Sequence, residues 1–402
     1  MRRGSSQVRD SKLRFQLNLF QLFYWMAFCG ISGFATVYLL SQEITDIQIG
    51  LIVASGSLLS VCMQVLTGIF IDKFPALTVK KVILIFLGVT GIMMFGVLLV
   101  GNKPLLVSIL YCLGLVFLLN LQPLVTALIY EYINSGANVS FSVSRGIGSM
   151  AYGLFSFGMG IWLEAHSKAY IPLLSGLFMV ILVLILVWLP KIKEEEEVLV
   201  NQTFEGESSG SMFRQYPGLL SFILGIVSLF TFHTIVNVFL PQIIEHVQGG
   251  SRELGFVIAL AAFCEIPIMF FFERLERKFG VRHLLQVSAI FFVLKAVIYA
   301  TVPSFSVILT SQVLQSLSFA LITPAYASYT NQWMKPTDRV KGQTFMMAAV
   351  TLGNVIGSLL GGQVLDRASV ESLLVIGLGM TLLGMILMFI SLRYSKKAIG
   401  ES

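Results

Sequence analysis

Two ionisable residues stand inside stretches that otherwise exclude charge. Glu265 lies within the apolar run from about 253 to 273, and Lys295 within the run from about 284 to 302. At the centre of a hydrocarbon layer each charge costs ~2.5–3.5 kcal/mol on the mildest scale, so the two are expected to neutralise each other. A buried ion pair adds little net stability, because desolvation offsets much of the attraction. Titration is therefore a better reason for the pair than adhesion between helices, although a purely structural pair is the alternative. A second set is Glu131, Arg145 and Tyr152. The planar fork of Arg145 can hold hydroxyl or carboxylate groups through two parallel hydrogen bonds. Tyr152 follows two helical turns later on the same face and offers a ring on which a sugar or base can stack. Arg145 can equally extend its stem to a membrane interface, and Tyr152 can equally be packing. A third set, His233 and Asn237, shares one helix face. His233 reads as a ligand contact or as a hydrogen-bonded packing residue.

The elements that carry these residues are membrane helices. Of 402 residues, 56% are hydrophobic and only 12% charged, and the mean hydropathy is +0.85. Soluble domains carry about a quarter charged residues, so a water-soluble enzyme is excluded. One crossing needs ~20 apolar residues. Spans are expected at about 16–40, 48–71, 82–101, 105–132, 141–164, 171–189, 217–240, 253–273, 284–302, 305–332, 342–364 and 371–393. The expected fold class is an all-α membrane protein of twelve transmembrane helices. Residues 1–189 form one six-helix bundle, 190–216 a solvated linker with the acidic run Glu194 to Glu197, and 217–402 a second bundle.

No P-loop, HExxH, GxSxG or CxxC motif occurs, and no nucleophile–base or metal-ligand set. Neither enzyme activity nor a cofactor or metal is expected. Cys29, Cys62, Cys112 and Cys264 all fall in apolar runs and are expected to be small buried side chains. The net charge of +6 comes from residues scattered over loops, which argues against a nucleic-acid partner. With the N-terminus inside, 22 of the 27 Lys and Arg fall on inner segments, 4 on outer loops, and Lys295 inside a span. The positive-inside rule then puts both termini in the cytoplasm. The apolar run behind the basic N-terminus is too long for a signal-peptide core, so it is read as a retained first span.

The two halves repeat. Gly50 to Phe74 and Gly255 to Phe279 have the same spacing, each leading from a span into a basic inner loop. Gly160-x-x-x-Glu164 closes span five and Gly362-x-x-x-Asp366 closes span eleven, at nearly the same offset. Six-helix repeats around an acidic linker suit a transporter that holds its solute near the midplane. Spans three, six and twelve are almost wholly apolar and are expected to face lipid. Gln21, Gln122, Arg145, His233, Asn237, Glu265, Gln312, Gln315 and Asn354 are expected to line an aqueous path, because polar groups in hydrocarbon must face protein or water.

The chain resembles the major facilitator superfamily over essentially its whole length. The superfamily's inner-loop signature is partly present after span two as Gly68, Asp72 and Lys73, and after span eight as Lys278, Gly280 and Arg282. The resemblance implies that these loops form a cytoplasmic gate. Within the superfamily, Glu131 on span four, Arg145 on span five, the small-residue stretch Gly146 to Ala151 and then Tyr152 are similar to the proton-coupled oligosaccharide branch, of which lactose permease is the best-known member. Glu265 and Lys295 match that branch's span-eight acid and span-nine cation. The resemblance implies proton coupling through Glu265 and Lys295, and substrate contacts from Glu131, Arg145 and Tyr152. His233, Asn237 and Gln315 are expected substrate contacts on their own polarity within the spans. Span ten departs from the pattern, with no histidine–glutamate pair near Phe319 to Pro324.

The function expected is proton-coupled import of a small polar organic solute, a sugar or a nucleoside, by a monomer in the plasma membrane. Its partners are then that solute, a proton and the bilayer. The alternatives are a drug–proton antiporter, disfavoured by the lack of proline in span five, and an aromatic-acid permease.

Overall fold

The computed structural model describes residues 2–74, 76–101, 103–190, 209–301 and 304–399. Among the described residues there are helices and connecting turns but no strand. The chain divides into two compact units, Met1–Val200 and Asn201–Ser402. Among the described residues, eleven helical stretches are long and apolar enough to cross a membrane, or twelve when the bent first pair counts as one span. The acidic run Glu194 to Glu197 lies outside the described residues.

In the first unit, α1 (Arg2–Phe28) passes through a π-helical turn, Cys29–Gly33, into α2 (Ala35–Ser41). Then come α3 (Asp46–Lys73), α4 (Val79–Val100), α5 (Pro104–Asn134), α6 (Phe141–Ala165) and α7 (Tyr170–Trp188). The first span, expected at about 16–40, is therefore two helices that meet at a bend of 48°. In the π turn the Phe34 amide donates to the Cys29 carbonyl, 3.0 Å away, and the Tyr111 hydroxyl donates to the carbonyl of Ile31 at 2.7 Å. Gly33 leaves room for the Tyr152 hydroxyl, from which a Cβ there would stand 2.9 Å. Polar residues set the starts of the neighbouring helices. Thr45 and Gln48 form a capping box at α3, and Thr78 and Ser140 cap α4 and α6.

Helix α7 ends on three carbonyls held by side chains from three other helices. The Gln16 side-chain amide donates to Trp188 O at 3.0 Å, Lys80 Nζ to Leu189 O at 2.6 Å, and the Tyr132 hydroxyl to Pro190 O at 2.6 Å. Orphan carbonyls at a helix end need such partners.

The second unit opens with the short α8 (Ser209–Gln215), then α9 (Leu219–Val238), α10 (Leu240–His246), α11 (Ser251–Phe279) and α12 (Val281–Thr301). Span ten is two pieces, α13 (Phe305–Leu317) and α14 (Phe319–Trp333), followed by α15 (Arg339–Arg367) and α16 (Val370–Ile399). The break at Ser318 (φ −94°, ψ −88°) was not legible in the hydropathy. Gly280, at φ +74°, ends α11 in a conformation that only glycine takes without strain. Helices α9 and α15 pack closely because Gly353, Gly357 and Gly361 present bare backbone to α9. A Cβ on Gly357 would stand 2.5 Å from the Thr231 carbonyl oxygen.

The expectation that all four cysteines are buried needs correcting. Cys29 is buried, Cys112 and Cys264 are half-buried, and Cys62 is exposed. An apolar run in a membrane helix has a lipid-facing side as well as a packed one, so hydropathy alone does not report burial.

Candidate functional site

In the first unit the polar residues converge where α6 packs on α1. Arg145 lies two turns before Tyr152 on α6, and both reach the same side chain of α1, Trp25. The Arg145 guanidinium carbon sits 3.9 Å from the Trp25 ring centroid. The Tyr152 ring meets Trp25 edge-on, with centroids 6.3 Å apart. Arg145 Nη1 donates to Ser149 Oγ at 2.7 Å, and Trp25 Nε1 donates to Gln21 Oε1 at 2.8 Å. The guanidinium is thus held on one face by an indole and at one edge by a hydroxyl. Gly148 makes the approach possible, since a Cβ there would collide with the Trp25 ring. Glu131 is half-buried near the end of α5, and Ser144 Oγ donates to Asn18 Oδ1 at 2.7 Å.

In the second unit, Glu265 on α11 and Lys295 on α12 are joined through α13. Gln315 donates from Nε2 to Glu265 Oε1 at 3.1 Å and accepts from Lys295 Nζ. Lys295 also donates to Gln312 Oε1 at 3.4 Å, and Gln312 Nε2 donates to the Tyr299 hydroxyl at 2.6 Å. Lys295 is 2% exposed, and Gln312 and Gln315 are 3% exposed each. An ammonium only donates, so the carbonyl end of each glutamine must face it. That orientation leaves the NH₂ of Gln315 to the Glu265 carboxylate.

His233 and Asn237 lie on α9. The His233 imidazole stacks on Phe319 of α14, with centroids 4.0 Å apart and planes 3° from parallel. Asn237 Nδ2 donates to the His233 carbonyl at 2.7 Å and lies 3.2 Å from both ring nitrogens. Asn354 of α15 accepts from Thr234 Oγ1 at 2.8 Å.

The inner-loop residues repeat in three dimensions as they do in sequence. Lys73 Nζ lies 5.9 Å from the Phe74 ring centroid, and Lys278 Nζ lies 5.1 Å from that of Phe279. Gly68 has no atom within 4 Å of where its Cβ would be, among the described residues. Asp72 is in the last turn of α3, and its side chain lies outside the described residues. Arg282 is half-buried in the first turn of α12. Close to these residues, the Gln332 amide donates to Glu276 Oε1 at 2.8 Å and Ser328 Oγ donates to the same oxygen, tying α11 to α14.

Two helical bundles, one with the half-buried Arg145 and the other with the buried Lys295 among polar neighbours, match a known family. The model of the MFS_1 like family matches residues 14–375. The chain belongs to the MFS_1 like family of the major facilitator superfamily. It is a multi-pass membrane transporter and not an enzyme. Two Bacillus subtilis (strain 168) proteins are similar to it in sequence. One is described as the uncharacterized transporter YwbF, 23% identical over 376 residues, covering 90% of this chain and 91% of that protein. The other is Multidrug resistance protein 1, 23% identical over 339 residues, covering 81% of this chain and 82% of that protein. In fold the chain is similar to the crystal structure of the nucleoside transporter NupG, at a TM-score of 0.80 and 16% identity. That match covers 95% of this chain and 98% of NupG. A bacterial homolog of the lysosomal transporter Spinster, captured inward-facing, matches at a TM-score of 0.68 and 15% identity over 96% of this chain and 98% of its own.

The sequence did not single out Trp25, Ser288, Tyr299 or Phe319. Trp25 follows Gln21 by one turn, which was an available clue. The others are ordinary residues of lipid-spanning helices until their neighbours are known.

Proposed function

We propose that this transporter imports a small polar organic solute with a proton, by alternating access. The observation that carries the reading is the burial of Lys295 at 2% exposure, joined through Gln315 to Glu265. Sequestered ionisable groups within transmembrane helices mark proton or solute pathways far more often than adhesion. Glu265 takes the coupling proton, with Lys295 setting when it is held. Arg145, steadied on Trp25, binds hydroxyl or carboxylate oxygens of the solute. Glu131, Tyr152, His233 and Asn237 complete the set assigned to binding, Gln315 is assigned to the charge pair that it joins, and Gly68, Asp72, Lys73, Lys278, Gly280 and Arg282 form the cytoplasmic gate. A sugar or nucleoside suits these donors and flat rings, and the likeness in fold to a nucleoside transporter favours the nucleoside. The protein works as a monomer in the plasma membrane with both termini in the cytoplasm.

A second reading is drug–proton antiport, favoured by the sequence likeness to Multidrug resistance protein 1 over most of the chain. One experiment separates the two. Purified protein in vesicles with an acid exterior is offered labelled nucleosides, sugars and aromatic acids, then cationic dyes with the gradient reversed. Import requires pH-driven accumulation of a polar solute that Arg145→Lys weakens. Accumulation of dyes alone establishes antiport.

A further inference from the structure

Helix α12 grips span ten through an antiparallel ladder of polar contacts. Ser288 Oγ donates to the Ser318 carbonyl at 2.8 Å, two turns later Lys295 meets Gln315 and Gln312, and one turn further Tyr299 meets Gln312. The lowest rung holds the carbonyl of the residue at which span ten breaks. Ser318 itself is fully buried, and its hydroxyl donates to Leu314 O at 2.8 Å. Gln315 lies three residues before the break, and Phe319, which stacks on His233, lies one residue after it. The charge pair and the His233–Asn237 face thus meet at opposite ends of a single irregular turn.

Gln315 occupies the critical place in this arrangement. Its two amide ends are spoken for by groups of opposite charge on different helices, α11 and α12. The geometry is satisfied when Glu265 accepts and Lys295 donates. A protonated Glu265 becomes a donor toward at least one neighbour and no longer attracts the Gln315 NH₂ as an anion does. The ionisable groups around Lys295 are Glu265 from α11, Tyr299 from its own helix, and His233 from α9. Among the described residues, α13 brings the amides of Gln312 and Gln315 to the ammonium.

We propose that Gln315 is a positioning residue, one that transmits the protonation of Glu265 to the break at Ser318 and through Phe319 to His233. Its role is therefore to couple proton to solute and not to touch the solute. This rests on the proton-coupled reading above. When Glu265 is charged, Gln315 bridges it to Lys295 and holds the end of α13 against α12. When Glu265 is protonated, that bridge weakens, the turn at Ser318 relaxes, and the Phe319 ring shifts against His233.

Two measurements on full-length protein in vesicles test it. The first compares solute counterflow, which needs no proton gradient, with pH-driven accumulation. Gln315→Leu should keep counterflow within about twofold of wild type and reduce the accumulation ratio to near one. Ser288→Ala, which leaves the charge network intact and frees the break, should lower accumulation in the same direction. The second needs no solute: hydrogen exchange of peptides spanning 316–325, corrected for intrinsic rates, at pH 5.5 and 8. In wild type their protection should change with pH, and in Gln315→Leu it should not.

Wild-type accumulation by Gln315→Leu overturns the proposal, as does an equal loss of counterflow and accumulation in that variant. Should Gln315→Leu fail to reach the membrane, pH-dependent protection that survives unchanged in Ser288→Ala overturns it. If no solute accumulates in wild type while the pH-dependent protection is present and needs Gln315, the import reading fails and the inference stands.

Discussion

The guanidinium of Arg145 lies over the indole of Trp25, its carbon 3.9 Å from the ring centroid. The indole shields one face of the guanidinium and fixes its plane, so Trp25 orients the cation before any solute arrives. A desolvated cation–π contact contributes up to about 2 kcal/mol. Trp25→Leu should therefore raise the KM of the transported solute roughly tenfold with a smaller change in maximal rate. Trp25→Phe should fall between the two. An unchanged KM in Trp25→Leu would show that the platform serves packing alone.

Lys295 and Glu265 should be interdependent. Lys295→Met removes the donor that Gln312 and Gln315 both accept and takes the neighbouring cation from the half-buried Glu265, and two buried amide oxygens that lose that donor cost ~1–3 kcal/mol each. Expression and thermal stability should drop sharply. Adding Glu265→Gln to Lys295→Met should restore much of the stability but not pH-driven accumulation. Thermal melts of the single and double variants in detergent check the first part, and vesicle uptake the second.

The Tyr216 hydroxyl donates to Asp338 Oδ2 at 2.6 Å and accepts from the Lys335 amide at 3.1 Å. Burial first, and then the Asp338 hydrogen bond, push the Tyr216 hydroxyl above its ordinary range. A raised folded-state value means that the stabilisation is complete below the ordinary tyrosine value, ~10. It is lost as the pH climbs through the folded value. Tyr216→Phe should cost ~1–3 kcal/mol near neutrality, the worth of a hydrogen bond to a charged acceptor. The gap to wild type should stay constant from pH 6 to 9 and close only in stronger alkali. Chemical denaturation across that range is the measurement.

Gly357→Ala should be poorly tolerated. The new methyl would stand 2.5 Å from a backbone oxygen of α9, which cannot swing aside as a side chain would. Forcing α9 and α15 apart should cost ~1–3 kcal/mol or more. Gly68→Ala, with open space around its Cβ, should cost far less. Comparing the melting temperatures of the two variants isolates the packing effect from the general effect of losing a glycine.

Orientation can be tested with exposed loop positions. Ser167→Cys, between α6 and α7, should react with a membrane-impermeant maleimide on intact cells. Thr337→Cys, between α14 and α15, should react only after permeabilisation. The reverse pattern would invert the assigned sidedness.

Helix count and the existence of a polar interior were legible because hydrophobicity over ~20 residues is a strong signal. The interruptions were not. The π turn at Cys29–Gly33 and the break at Ser318 carry no proline or charge to mark them, and the carbonyls within them are held by residues far along the chain, Tyr111 and Ser288. Glu265 and Lys295 stood out because charge is rare in such runs. Gln315 was noticed as a polar residue, but its place between them could not be read, since spacing within one helix says nothing about a third helix. Trp25 offered only its spacing from Gln21. An aromatic ring on a lipid-spanning helix is unremarkable until the residue it covers is known.

The three clasped carbonyls at the end of α7 have a mechanical consequence. Trp188, Leu189 and Pro190 are each fastened by a side chain from α1, α4 or α5, so tension applied beyond Pro190 is shared by four helices and does not unwind one. The chain leaves the first bundle from a fixed post. That makes the position just after Pro190 a natural seam, where a fluorescent tag or a protease site should be tolerated without loosening the helices behind it.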